Sequence, residues 1–275
     1  MKKNKGAPGI DGITIETFES NLDEELARLR KDLESWRYKP EPVRRVEIPK
    51  PGKGKGVRLL GVPCVRDRVV HAALKLLLEP IFDPTFSDHS YGFRPGYSPQ
   101  KAVEAAKRII RSGKDYVVDI DLSKFFDRVN HDRLIYLMSV LSNVVLDELD
   151  KELEKRGLEF CRYADDCNIF LRSPKTANRV MKSISRFIEN KLKLKVNWDK
   201  SRVGRSQDVK FLGMTVIKGT IAISVESMRR ARQKIRELTP RGTHLSIEKT
   251  VDRINSWYIG WSGYYYPIPV PVQSN

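Results

Sequence analysis

Apolar and polar positions follow two rhythms along this chain, one of three-to-four residues and one of two. Phe18, Leu22, Leu26, Leu29, Leu33 and Trp36 recur at spacings of three and four, which predicts one amphipathic helix behind the turn-forming GAPGIDG. VRRVEIPK and VRLLGVP then read as two short strands joined by the glycine-rich, basic PGKGKG, a hairpin whose tip suits phosphate. Residues 65–82 read as a mostly buried helix, and Ser98 with Pro99 sets a cap and first-turn proline for a helix through Ile110. Between them SYGFRPGYS is a loop.

The two-residue rhythm returns in DYVVDIDL (115–122), a strand, and in EFCRYAD with DCNIFLR, which form a hairpin with Asp165 and Asp166 at its bend. A long helical pattern runs between them from His131 to about Arg156. Ser173-Pro174 starts another helix, and FLGMTVIKGTIAIS is a hairpin turning at Lys218-Gly219. Two basic helical patterns follow. The closing YYYPIPVPVQSN is kept out of helix and central sheet by its prolines. Segregated helices and antiparallel hairpins make the class α+β.

The 275 residues, 40% of them hydrophobic, suffice for one or two packed domains. Charge narrows the choice of partners. With 51 Lys and Arg against 35 Asp and Glu, the net +16 favours polyanions, nucleic acid first among them. Cys64, Cys161 and Cys167 are too few and too unevenly spaced for a disulfide framework or a four-ligand zinc site, which fits a reducing, cytoplasmic setting. The four histidines form no metal-binding pattern, and the sequence carries neither a signal peptide nor a membrane span.

Asp119 and Asp121 lie two apart on a strand and so share a face. If that strand neighbours the Asp165-Asp166 bend, three or four carboxylates converge, and each pair at ~4 Å repels by about 4 kcal/mol at an effective dielectric of ~20. Hard divalent cations relieve this repulsion. Mg²⁺ or Mn²⁺ fits such oxygen ligands, and a pair of ions can serve phosphoryl transfer. For an isolated Asp-Asp, a solvated turn is the simpler reading; the apolar strands around this one argue against it.

Eight blocks, in order, resemble the group II intron reverse transcriptases with maturase function. GAPGIDGITIETF is similar to the N-terminal extension of that family, VRRVEIPKPGKGKGVRLLGVPCVRDRVVHAAL to its fingers, and SYGFRPGYSPQKAV to the block before the palm. VVDIDLSKFFDRVNHDRL and FCRYADDCNIF resemble its two catalytic palm motifs, LKLKVNWDKS the next block and KFLGM the primer-grip hairpin. ISVESMRRARQKIREL with INSWYIGWSGYY resembles the start of the maturase, or thumb, region. The resemblance implies a right-hand polymerase fold with N-terminal extension and fingers over 1–98, palm over 99–220 and a partial helical thumb over 221–275.

It further implies RNA-directed DNA synthesis with two Mg²⁺ ions, Mn²⁺ being possible, on an RNA template with a DNA primer and deoxynucleoside triphosphates. Asp121, Asp165 and Asp166 become the metal-binding carboxylates, with the Leu122 carbonyl as an added oxygen and Asp119 as a neighbour. Lys200 corresponds to a proton donor for pyrophosphate, or is a surface lysine. Lys50 and Arg58 match the cations that embrace the triphosphate, while Arg94 either joins them or braces the palm. Phe126 matches the steric gate at the sugar, a role Phe125 beside it could exchange. Phe211, Leu212 and Gly213 form the primer grip.

The chain departs from that pattern near 138–141, where a helical stretch, a hairpin and the PQG block that packs beside nucleotide and template are missing. The short connection should leave Ser139–Ser142 kinked or poorly ordered, and the thumb stops early. A catalytically impaired maturase remnant that binds intron RNA is therefore the alternative reading. A general basic binder would leave the ordered motifs unexplained. The residues do not set the oligomeric state, the host intron or the template.

Overall fold

The computed structural model describes residues 6–49, 56–123, 135–242 and 246–266, the side chains of 58 and 135–141 excepted. The chain divides into two compact units, Met1–Phe86 with Lys124–Asp147, and Ser87–Ser123 with Glu148–Asn275.

In the first unit the opening apolar periodicity yields two helices where one was expected, α1 (Ile15–Ser20) and α2 (Leu22–Glu34). Thr14 caps α1 by accepting from the Thr17 N–H at 3.1 Å. Asn21 then ends it at φ −118°, ψ 29°, because asparagine is a poor helix-interior residue. Trp36 falls beyond α2 at φ 57° and is 95% exposed, so it does not extend the buried stripe.

Strands β1 (Arg44–Pro49) and β2 (Val57–Val62) pair antiparallel as the predicted hairpin, whose 50–55 tip lies outside the described residues. Helix α3 (Val65–Phe82) forms over the expected span. It is less buried than expected: Val65, Asp67, Val70 and His71 near its start are buried, whereas Leu76, Leu77 and Ile81 are exposed. Contact with α1 covers only the beginning of the helix, where Val65 joins Ile15 and Phe18 in a small apolar cluster. Asp67 holds down the chain after α2, accepting from Tyr38 Oη at 2.6 Å and the Glu41 N–H at 3.1 Å.

Helix α5 (Ile135–Lys155) begins in the first unit and ends in the second. Ser139–Ser142, expected to be kinked or poorly ordered, lies within this helix. No Pro or Gly interrupts this stretch, and the helix runs through it unbroken.

The second unit is built on an antiparallel sheet in the order β4-β5-β3-β6, with β3 at Tyr116–Ile120, β4 at Glu159–Tyr163, β5 at Asp166–Leu171 and β6 at Arg202–Arg205. Helix α4 (Pro99–Arg111), capped by Ser98, packs on one face, where Ala102, Val103 and Ala106 join Val117, Cys161 and Phe170 in the core. Helix α6 (Pro174–Asn190), capped by Ser173, contacts β3, β5 and β6. Its buried residues, Ala177, Val180, Met181, Ile184, Ser185 and Ile188, recur at helical spacing along one face.

A second hairpin, β7 (Met214–Ile217) with β8 (Thr220–Ile223), adds Met214, Val216 and Ile221 to the α4-side core and turns at Lys218-Gly219 as expected. Helices α7 (Val225–Leu238) and α8 (Ile247–Tyr265) follow. Tyr264 and Tyr265 belong to α8, against the expectation that the terminal prolines exclude them; residues from Pro267 on lie outside the described ones. The sheet with its flanking helices makes the fold α+β.

Candidate active site

Strand register gathers the acidic residues. Asp119 pairs with Asn168 and Ile120 with Cys167, so one step further along the same ladder come Asp121 and Asp166. With side chains alternating, Asp119, Asp121 and Asp166 share one face of the sheet. The bend between β4 and β5 is as short as the sequence suggested: Ala164, at φ 56°, and Asp165 connect Tyr163 to Asp166, which pair across it.

The electrostatics record the crowding. Burial, then the neighbouring Asp165 and Asp121, push the Asp166 carboxyl up to about 6, against the pull of Lys210 and Lys200. Burial, followed by Asp166, pushes Asp119 up to about 7, although Arg202 opposes this. Arg202 is the β6 partner of Asp119 and reaches its carboxylate at 3.7 Å.

Asp121 rests in a cradle made by the 195–201 loop. Its carbonyl accepts from the Asn197 N–H at 2.8 Å, its N–H donates to Ser201 Oγ at 3.0 Å, and its carboxylate accepts from Asn197 Nδ2 at 3.0 Å. Lys200 Nζ lies 3.3 Å from Asp121 Oδ2. Asn197 and Ser201 escaped the sequence reading, and only their nearness to Lys200 in NWDKS hinted at them. Leu122 is buried in an antiparallel bridge with Val196.

The remaining predicted residues are dispersed. Phe211 exchanges backbone hydrogen bonds with Met214 around Leu212 and Gly213, both at positive φ, as a two-residue hairpin turn requires. The α8 end sits on that turn, Tyr264 Oη donating to the Leu212 carbonyl at 3.0 Å. Arg94 is buried and donates to the carbonyls of Ser87 and Ser90 at 2.6 and 3.1 Å, so it is engaged within its own loop. Arg58 lies on β2, its side chain outside the description, while Lys50, Phe125 and Phe126 fall outside the described residues altogether.

Comparison with known proteins decides what this arrangement belongs to. The family model of reverse transcriptase (RNA-dependent DNA polymerase) matches residues 48–142 and 137–216. The chain belongs to that family. The model of the group II intron maturase-specific domain matches 228–271, taking in most of α7 and all of α8. Protein YkfC of Escherichia coli is 29% identical over 297 residues, covering 78% of this chain and 77% of YkfC. That alignment is longer than the 275-residue chain, so YkfC carries stretches with no counterpart in it. The group II intron-encoded protein LtrA of Lactococcus lactis is 31% identical over 206 residues, 73% of this chain and 33% of LtrA. A putative COX1/OXI3 intron 1 protein of Saccharomyces cerevisiae is 37% identical over 133 residues, 48% of this chain and 16% of that protein. The chain thus spans a third or less of the two intron proteins.

Reverse transcriptases use divalent metal ions, and the donor chemistry of this site fits one: hard carboxylate oxygens, among which Asp166 is raised first by burial and then by the charge of Asp165 and Asp121. Assembly of the ligands is incomplete. Among the described residues no three His, Cys, Asp or Glu side chains stand close enough together to hold an ion, and Lys200 supplies the positive charge beside Asp121. No helix among the described residues is long and apolar enough to cross a membrane.

Proposed function

We propose that this reverse-transcriptase-family chain extends a DNA primer on an RNA template with deoxynucleoside triphosphates, and that its carboxy-terminal helices, α7 basic and α8 rich in aromatics, bind intron RNA in a maturase role, in the cytoplasm. The observation that carries the proposal is the register that brings Asp121 and Asp166 together beside Asp165, inside the segment matched by the family.

In this reading Asp121, Asp165 and Asp166, with the Leu122 carbonyl, would hold Mg²⁺, or Mn²⁺ in its place. Such ions, when bound, offset charge on the phosphoryl oxygens and favour the attacking oxygen. Asn197 and Ser201 fix the backbone of Asp121, so its carboxylate is aimed before any ligand arrives. Lys200, lying against Asp121, keeps a proton at the rim where departing pyrophosphate could receive it. Lys50 and Arg58 are assigned to the triphosphate, Phe126 or Phe125 to the sugar, and the Phe211-Leu212-Gly213 turn to the primer. Arg94 assists indirectly by holding the 87–90 loop.

A second reading, a remnant that binds intron RNA without polymerising, is favoured by the stretches of YkfC that have no counterpart and by Lys200 standing at Asp121. Primer extension on an RNA template with Mg²⁺, run beside an intron-RNA binding assay, separates the two. Inserting a family-like segment between Met138 and Leu141 should raise the rate of nucleotide addition. Equal rates with and without the insertion would mean that the missing stretch is dispensable.

A further inference from the structure

The acidic bend is supported from the opposite face of the sheet by a buried ion pair. Arg162 on β4 and Asp150 on α5 are both 0% exposed and meet in a forked contact, Nε to Oδ1 at 2.7 Å and Nη2 to Oδ2 at 2.6 Å. The same guanidinium donates from Nη2 to Ser90 Oγ at 2.7 Å and from Nη1 to the Ala164 carbonyl at 2.9 Å. Its backbone is held as firmly: the Arg162 N–H donates to the His89 carbonyl at 2.9 Å, and the Arg162 carbonyl accepts from the Tyr91 N–H at 2.8 Å.

Ala164 is the point of interest because it precedes Asp165 and sits at φ 56°, a conformation that alanine adopts reluctantly. The 90–92 loop presses on it from another side. A Cβ added at Gly92 would lie 2.4 Å from the Ala164 nitrogen, so only glycine fits there. Stability alone gives little reason for the ion pair, since a well-packed apolar pair commonly serves a core as well. An apolar pair could not donate to the Ala164 carbonyl.

We propose that Arg162, oriented by Asp150 and Ser90, is a positioning residue that holds the strained Ala164 peptide and thereby aims Asp165 and Asp166 at a shared divalent cation. The inference rests on the reading of those aspartates as cation ligands. It makes the geometry of the acidic bend depend on a charge pair that touches neither substrate nor ion.

The test uses the full chain and the double variant Arg162→Met/Asp150→Leu, which removes the brace without leaving a buried charge unpaired. Mn²⁺ binding is followed by electron paramagnetic resonance, the relevant signal being the Mn²⁺ bound by the parent and lost in Asp165→Asn. Amide exchange at Ala164–Asp166 is followed alongside. The expected result is a folded double variant whose Mn²⁺ affinity falls on the order of 10- to 100-fold, the usual cost of losing a ligand's support, with faster exchange confined to the bend. Arg162→Lys, which keeps the charge but cannot span Asp150, Ser90 and Ala164 together, should recover only part of the affinity.

Parental Mn²⁺ affinity in the folded double variant, full recovery by Lys, or a parent that binds no Mn²⁺ at Asp165 would overturn the proposal. A parent that binds Mn²⁺ yet adds no nucleotide would refute the polymerase reading and leave the brace standing.

Discussion

The acidic end of the sheet and the α7–α8 arm handle charge in opposite ways. At the sheet, backbone register places Asp119 and Asp166, the Asn197-Ser201 cradle fixes Asp121, and burial raises the cost of their proximity. Along the arm, Arg229, Arg232 and Arg236 are spread over α7, while α8 has no buried residue and carries a row of aromatics, Trp257 and Trp261 stacked at 5.9 Å and Trp261 and Tyr265 tilted at 5.0 Å. One region concentrates like charge that Lys200, Lys210 and Arg202 offset only in part, and the other spreads the opposite charge over a surface. Chemistry at the first should therefore hinge on single atoms. Binding at the second should be additive and sensitive to salt.

The largest expected effect breaks the pair apart. Asp165→Asn should remove several kcal/mol of charge stabilisation, about a thousandfold or more in nucleotide addition, while thermal unfolding and RNA affinity stay at parental values. Loss of RNA binding in the same variant would mean that the two regions are not separate. Next in size is the single variant Arg162→Met, which strands Asp150 in the core. It should cost about 3–5 kcal/mol of stability in denaturant unfolding, whereas the double variant with Asp150→Leu stays near the parent.

Salt sharpens the other side of the comparison. If about six phosphates are contacted, RNA affinity should fall on the order of a hundredfold or more between 50 and 200 mM salt, in Asp165→Asn as in the parent. A flat response in filter binding would contradict an electrostatic RNA surface. The smallest effect concerns how the arm is anchored. Glu226 in the first turn of α7 is held down at about 2, chiefly by its hydrogen bond from Lys210, with Arg230 assisting. Its folded value lies below the ordinary glutamate value of 4.5, so its contribution is complete above 4.5 and fades as the pH drops towards 2. Because the side chain is 35% exposed, Glu226→Gln should cost only about 0.5 kcal/mol at pH 7 after solvent screening, a gap that closes in acid melts.

What could be read in the sequence was local. The β4–β5 bend, the Ser98-Pro99 and Ser173-Pro174 helix starts and the Lys218-Gly219 turn each follow from a few adjacent residues, and all are present. The break at Asn21 was equally local, but it was masked by an apolar period that continued across it. The exposure of Leu76, Leu77 and Ile81 on α3 has no signature in the sequence, because periodicity marks an apolar face without saying what covers it.

Asp150 and Arg162 lie on different elements, as do Asp121 and Asn197, so no spacing rule links them. At the site, two aspartates on a strand and two at a hairpin suggested convergence; the register that delivers it is a property of the folded sheet. The presence of Lys200 at Asp121, in place of a third close carboxylate, had no signal in spacing at all.

Single-nucleotide addition to a DNA primer on an RNA template, with Mg²⁺ and equal amounts of folded parent and Asp165→Asn, tests the central claim most directly. The parent should extend the primer, Asp165→Asn should not, and both should bind RNA with the same affinity. Equal extension by both proteins would contradict the catalytic assignment of the acidic bend, and RNA binding without extension by the parent would contradict the polymerase reading in favour of the remnant.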